Sequence, residues 1–258
     1  MIKEQVLFSR YLKLRFIKNK MNVQRIIRKT KSCLHFFQGK AKISYAQFGE
    51  DILIGYFFEQ YLKNSSPTYL DIGTNHPVNG NNTYLFYLKN CFGVCIEPDP
   101  VLCREILSKR SRAIVLNAGV GIGTETEGTL YNFPEPYTGW NTFSKEEAVS
   151  RQKETGINYN ESAKIPFLSI NEIMEKYFKP CPDFVSIDVE GLDFDILRTL
   201  DFNRFRPAAF CVETMSFSVS TEAKKCSDII DLLSANGYVS YADTHINTIF
   251  VRQDILNK

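Results

Sequence analysis

Short apolar runs recur along this chain, most of them closing on an acid or a glycine, and helical spacing fills the stretches between them. TYLDIG (68–73), FGVCIEP (92–98), AIVLNAGVG (113–121), IPFLSI (165–170), DFVSIDVEG (183–191) and AAFCVET (208–214) predict strands. Runs of this length and content suit strands buried on both faces. Residues 82–90 after Asn81–Asn82, 99–110 after Asp99-Pro100, 171–178, 192–200 and 221–236 before Gly237 predict helices. SYAQFGEDILIGYFFEQYLK (44–63) predicts a further helix, with Ser44 and Gln47 at the spacing of a capping box. YVSYAD and NTIFVRQD predict a closing hairpin. Strands alternating with helices predict a parallel α/β sheet with right-handed crossovers, whose loops after the strand C-termini carry the site.

Two segments stand outside that alternation. GTLYNF (128–133) reads as one arm of an extra hairpin, and residues 134–164, polar and aromatic without a core pattern, predict an insert or lid. Residues 1–42 hold twelve Lys/Arg against the single acid Glu4, while the remainder holds 19 basic and 28 acidic residues. A basic, loosely helical N-terminal extension (1–42) thus precedes an acidic domain (43–258). The arm either lies on an anionic membrane surface or packs on the domain with its charges solvated. The acidic domain lacks the clustered positive charge that nucleic-acid binding needs. No apolar run approaches the ~18–20 residues of a membrane span, and no signal peptide is expected. Seven cysteines without paired CxxC or zinc spacing suggest reduced, buried thiols in a cytoplasmic protein.

The chemistry concentrates in three acidic strand ends, Asp71, Glu97 and Asp188, which a parallel sheet brings to one edge. Asp71 opens the loop DIGTNHPVNGNN, in which Gly73 permits close backbone approach. Glu97 ends the next strand at the spacing of an acid that binds ribose hydroxyls. The GxGxxG phosphate fingerprint is not met, since only Gly73 falls in the turn. A cofactor with a ribose and no phosphate fits better, and S-adenosylmethionine is one.

YLDIGTNHPVNGNNTYLFYLKNCFGVCIEPDP resembles the first half of FkbM-type methyltransferases. AQFGED upstream and DFVSIDVEGLDFDILRTLDFNRFRP downstream resemble that family's flanking motifs, so that the likeness runs over roughly 44–215. It implies a Rossmann-like class I methyltransferase fold: a mostly parallel seven-stranded sheet with helices on both faces and a terminal β-hairpin, here behind the N-terminal helical extension. It implies S-adenosylmethionine as cofactor and O-methylation, often of sugars or secondary metabolites. By position, Asp71, Gly73 and Asn75 would face the methionine part, and Glu97, followed by Pro98, would hold the ribose. Asn117 and Gly119 would lie near the adenine. Gln47 and Glu50 would line the pocket from the preceding helix. Asp188 and Glu190 would sit where cofactor and acceptor meet.

An alcohol acceptor must lose a proton, and Asp188, Glu190 and His76 are the candidate catalytic groups. His76, Trp140, Asn141 and Glu213 are candidates for contact with a small-molecule or glycan acceptor. Asp188 with Glu190 or Glu213 could instead hold Mg²⁺ and acidify the acceptor hydroxyl. Each residue also has a structural reading: strand-end acids cap the next helix, His76 closes a turn, and Trp140 plugs the insert onto the core. Two rival functions are a nucleotide-dependent oxidoreductase, which the missing fingerprint disfavours, and a catalytically silent module that binds the cofactor.

Overall fold

The structure, a computed structural model, describes residues 41–216 and 224–257. The predicted helical arm lies outside the described residues but for its last two positions. In chain order the elements are α1 (Glu50–Tyr61), β1 (Tyr69–Ile72), α2 (Tyr84–Leu88), β2 (Gly93–Ile96), α3 (Pro100–Lys109), β3 (Ile114–Leu116), β4 (Gly119–Val120) and β5 (Glu127–Asn132). There follow α4 (Lys145–Thr155), β6 (Asn160–Leu168), α5 (Ile170–Tyr177), β7 (Phe184–Ile187), α6 (Asp193–Leu197) and β8 (Ala209–Glu213). The chain closes with β9 (Met215–Ser216), β10 (Lys224–Lys225), α7 (Ser227–Ala235), β11 (Tyr238–Asp243), β12 (Asn247–Arg252) and α8 (Gln253–Leu256).

Seven strands form the main sheet, in the order β11-β12-β8-β7-β1-β2-β3. Only β12 runs against its neighbours, and β11 and β12 make the terminal hairpin. β1, β2 and β7 are buried along their whole length, which is why they read as unbroken apolar runs. Alternate residues feed two cores, as the period of two requires. Leu70, Ile72, Val94 and Val185 pack on one face with Ile173 and Met174 of α5 and Leu233 of α7. Tyr69, Cys95, Phe184 and Cys211 pack on the other with Phe57 and Phe58 of α1, Phe86 of α2 and Ile106 of α3. This is a doubly wound, Rossmann-like α/β fold with a mostly parallel seven-stranded sheet. No described helix is long and apolar enough to cross a membrane. Six described cysteines are free, four of them buried.

Local departures from the sequence reading have local causes. The helix expected over 44–63 starts at Glu50, behind Gly49 in the left-handed region at φ 94°. Ser44 does not cap it; its hydroxyl donates to buried Asp51 at 2.6 Å, and the Tyr45 amide donates to the same carboxylate at 2.8 Å. Residues 44–49 therefore form a strap tied to the helix start. The strand expected over 113–121 divides: β3 stays in the main sheet, while β4 pairs with β6 in a separate three-stranded sheet, β4-β6-β5. The helix expected over 221–236 is confined to Ser227–Ala235, and Lys224–Lys225 pair instead with Met215–Ser216.

The insert at 134–164 is built rather than irregular. It contains helix α4, capped by Ser144, and the first residues of β6. Its core gathers Tyr131, Phe133 and Ala148 with Trp140, Ile157 and Tyr159. Those residues are scattered in sequence, and Ala148 is the only buried residue of α4, so no apolar period marks the segment.

Candidate functional site

A cavity of about 250 Å³ opens at the C-terminal edge of β1, β2 and β7. Here the strand order turns back on itself, the place where open α/β sheets bind ligands. Asp71, Gly73, Asn75, Glu97, Gly119 and Asp188 line it, together with Gln47, His76, Pro98, Asn141 and Glu190. Gly73 has φ 77°, and a Cβ there would stand 1.9 Å from the Asp188 carbonyl oxygen. The turns after β1 and β7 thus meet backbone to backbone, which only glycine permits.

Asp71 is anchored from behind. Its Oδ2 accepts from the Thr83 hydroxyl at 2.6 Å, Asn81 Nδ2 at 3.2 Å and Arg110 Nη1 at 3.5 Å. Its Oδ1 has no partner among the described residues. Arg110 is fully buried; its Nε donates to the Pro77 carbonyl and its Nη1 to Thr83 Oγ1, each at 2.8 Å. Asn81 Oδ1 accepts from the amides of Thr83 and Tyr84, which starts α2. One buried network therefore sets the carboxylate, the loop and the helix together.

Glu97 is buried with both oxygens engaged, Oε2 by the Asn75 amide at 2.8 Å and Oε1 by the Asp99 amide at 2.9 Å. Desolvation pushes its carboxyl up to about 7 in spite of those two donors. Asn117 does not line the cavity; its Nδ2 donates to the carbonyls of Glu97 and Pro98, bracing the turn that carries the acid. Gln47 enters the cavity wall from the strap. Glu50, expected beside it, lies outside: it is fully buried, with Oε1 accepting from Thr244 Oγ1 at 2.6 Å and Asn247 Nδ2 at 3.1 Å, and Oε2 from the Phe48 amide at 2.8 Å. It clamps α1 to the β11–β12 hairpin.

Asp188, Glu190 and Glu213 each bring a carboxylate oxygen within 4.8 Å of the others. Burial, then mutual repulsion, holds Asp188 well above the ordinary carboxylate range. Glu213 is pushed up to about 11 and Asp193 to about 7 by the same causes. Glu190, also raised by burial, is partly relieved by Arg151 of α4, whose Nη2 lies 2.7 Å from Glu190 Oε2. Glu213 borders the acidic group without lining the cavity. Hard oxygen ligands at this spacing suit a divalent cation, although Arg151 already engages one Glu190 oxygen.

The remaining candidates divide. His76 lines the cavity, but its Nδ1 accepts from the amides of Val78 at 3.0 Å and Asn79 at 2.8 Å. The Nδ1 lone pair is thus engaged by the turn that follows it. Trp140 lies outside the lining, stacked on Tyr137 at 4.6 Å and edge-on to Phe133 at 5.8 Å; it plugs the insert. Asn141 lines the cavity; its Oδ1 accepts from the Phe133 amide at 2.8 Å, and its buried Nδ2 has no partner among the described residues. Sequence reasoning missed Arg110, Arg151 and Asn82. Each is an ordinary polar residue of a helix or helix end, with nothing in its neighbours to mark it.

The sequence model of the family described as Methyltransferase FkbM domain matches residues 71–240. No curated protein matches the chain. Solved structures with a similar fold include the 1,6-didemethyltoxoflavin-N1-methyltransferase of Burkholderia thailandensis, at 7% identity and TM-score 0.38, covering 88% of this chain and 87% of that one. A TehB-like SAM-dependent methyltransferase of Corynebacterium glutamicum matches at 9% identity and TM-score 0.38, covering 87% and 96%. The precorrin-6y C5,15-methyltransferase of Geobacter metallireducens matches at 10% identity and TM-score 0.38, covering 82% and 91%.

Proposed function

Because the chain belongs to the FkbM methyltransferase family, we propose that it uses S-adenosylmethionine to methylate a hydroxyl of a sugar, glycoconjugate or related small metabolite. The observation that carries the reading is Glu97, a buried acid held by two backbone amides at the cavity wall, one strand from the Gly73 turn. That arrangement offers fixed acceptors to ribose hydroxyls on one side and an unobstructed backbone to the methionine part on the other. Bound S-adenosylmethionine would present a methyl group on a sulfonium, for in-line displacement of a neutral thioether.

The chain's own residues would position and deprotonate the acceptor. Positioning supplies much of the acceleration in such a transfer. Asp188 lines the cavity and makes no side-chain hydrogen bond among the described residues, so its carboxylate is available to the acceptor hydroxyl. Its raised proton affinity suits a base, whose contribution is typically about 10²–10⁴-fold. Arg151 offsets the charge of Glu190 while Asp188 is ionised. Asp188→Asn should lower kcat by about 10²-fold or more while cofactor affinity stays near wild type; unchanged kcat would remove Asp188 as base.

Asp188, Glu190 and Glu213 would also be the ligands of a divalent cation, if one takes part. Arg151 supplies positive charge to the same cluster, so activity should survive dialysis against EDTA; loss restored by Mg²⁺ would assign the cation. We further propose that the basic arm, residues 1–42, contacts anionic membrane. Equal sedimentation with anionic vesicles of the full chain and a chain lacking 1–42 would overturn this. The test of the whole reading is calorimetric titration of S-adenosylmethionine into the wild type and Glu97→Ala. Binding by the wild type that the variant loses supports it, and no binding by the wild type defeats it.

A further inference from the structure

The insert carries a core of its own. Tyr131, Phe133, Ala148, Trp140, Ile157 and Tyr159 pack on one another, apart from the two cores of the main sheet. Residues 160–166 of β6 run beside β5, whereas Phe167 and Leu168 pair with Gly119 and Val120 of β4. The strand therefore passes from the insert to the rest of the domain at Pro166. Phe143 packs edge-on to Phe167 at 4.9 Å, next to that point. A segment that buries its own apolar residues and joins the fold over a short stretch can move as one piece.

The same piece forms part of the cavity wall through Leu130, Thr138, Asn141, Thr142 and Phe143. Polar contacts fasten it to the edge of the main sheet. After β1, the Thr138 hydroxyl donates to Asn75 Oδ1 at 3.3 Å. After β7, the Thr142 hydroxyl donates to the Glu190 carbonyl at 3.3 Å, and Arg151 Nη2 to Glu190 Oε2 at 2.7 Å. Asn75 and Glu190 both stand in the left-handed region, at φ 50° and 57°, a conformation that residues other than glycine keep only where their surroundings hold it. Water can replace each of these contacts, so releasing them costs less than exposing an apolar core.

Methyl transfer needs cofactor and acceptor in one site. Pockets for a single drug-sized ligand run to about 300–1,000 Å³, and this cavity holds about 250 Å³. Its wall must therefore yield, and the insert is the part of it that can do so without opening either main core. We infer that residues 127–165 are a lid that swings about the attachment at Phe143 and Pro166, caught shut by Thr138 on Asn75 and by Arg151 on Glu190. The inference rests on the methyltransferase reading for the two ligands the site must admit. Opening takes the Arg151 charge away from Glu190, and closing returns it beside Asp188, so that the acidic cluster is complete only in the shut state.

The test is the distance between two spin labels on the full chain, one on α4 (Val149→Cys) and one on α3 (Leu107→Cys), both exposed positions. Cys33, Cys181 and Cys226 are replaced by serine, which leaves only the four buried native thiols. A control pair joins Leu107→Cys to Glu172→Cys on α5. Without ligand, Arg151→Met should shift the α4–α3 pair toward a longer distance, with the open-to-shut ratio raised about tenfold. Thr138→Val should shift the same pair in the same direction by a smaller factor, although the label is eleven residues away, and it keeps the test open if Arg151→Met fails to fold. The control pair should not change. One unchanged distance in the wild type and both variants overturns the inference. A response to Arg151→Met alone overturns it too, since α4 would then move by itself, as does a control pair that broadens with the first, the mark of general loosening. S-adenosylmethionine should draw the wild type to the short distance. If that ligand does not bind in the calorimeter, the methyltransferase reading falls, while the distances measured without it still judge the lid.

Discussion

At the scale of single residues, the site turns on how much of each polar side chain the fold has already used. Glu97 keeps its place through two backbone amides, yet burial holds its carboxyl up to about 7. Ribose hydroxyls donate to the ionised form. Cofactor affinity should therefore weaken as pH falls through about 7, by up to tenfold per pH unit. Glu97→Gln should bind weakly and show a flat profile between pH 6 and 8; a wild-type profile equally flat would contradict the assignment. Glu97 was legible in the sequence because a strand-end acid follows from strand patterning alone. Arg110 was not, because its value lies in being buried behind Asp71, 39 residues away. Arg110→Met should destabilise the protein by about 3–5 kcal/mol, the usual cost of breaking a buried charged pair. A thermal midpoint close to wild type would show that Thr83 and Asn81 suffice to hold Asp71.

At the scale of elements, the turns after β1 and β7 act as one piece. A Cβ on Gly73 would meet the Asp188 carbonyl at 1.9 Å in a backbone already at φ 77°. Gly73→Ala should thus lose cofactor binding and lower the thermal midpoint together, measured by titration and calorimetric melting. Intact binding would mean that the two turns can separate. The insert is coupled to the same place, since Arg151 of α4 pairs with Glu190 and the Thr142 hydroxyl donates to the Glu190 carbonyl at 3.3 Å. Arg151→Met should lower kcat more than it raises KM for the cofactor, because it leaves Glu190 charged beside Asp188 and leaves Glu97 untouched. Strands and most helices were readable because both faces of the sheet are covered and the runs are apolar. The strap at 44–49 was misread as helix, since its geometry comes from Asp51 and Glu50 reaching out of α1, and no local spacing encodes that.

Across the whole molecule, burial of acids dominates the electrostatics of the site. Glu97, Asp188, Glu190, Asp193 and Glu213 are all shifted upward, with desolvation the leading cause in each. An acid whose proton affinity is higher in the folded state binds more protons folded than unfolded, so stability falls as pH rises. The loss begins near the ordinary carboxylate range and continues to about 7 for Glu97 and Asp193, and further for Glu213. The thermal midpoint without ligand should therefore drop between about pH 5 and pH 8, by about 2–4 °C for each kcal/mol lost. A midpoint that rises over that range would mean that the cluster is better compensated than Arg151 alone allows.

The sequence by itself determined the alternation of buried strands and helices, the acids at the strand ends, the close turn at Gly73 and the family. These depend on neighbours in the chain, on periods of two and 3.6 residues and on turn chemistry. The tertiary structure alone decided which polar atoms are spent and which are free. It committed Glu50 to the terminal hairpin, the His76 nitrogen to its turn and Asn117 to the loop behind Glu97. Among the described residues, it left Asn82 Oδ1, Asn141 Nδ2 and Asp71 Oδ1 without partners. The reason is physical: a hydrogen bond between residues far apart in sequence depends on the packing of whole elements, and no local pattern records it.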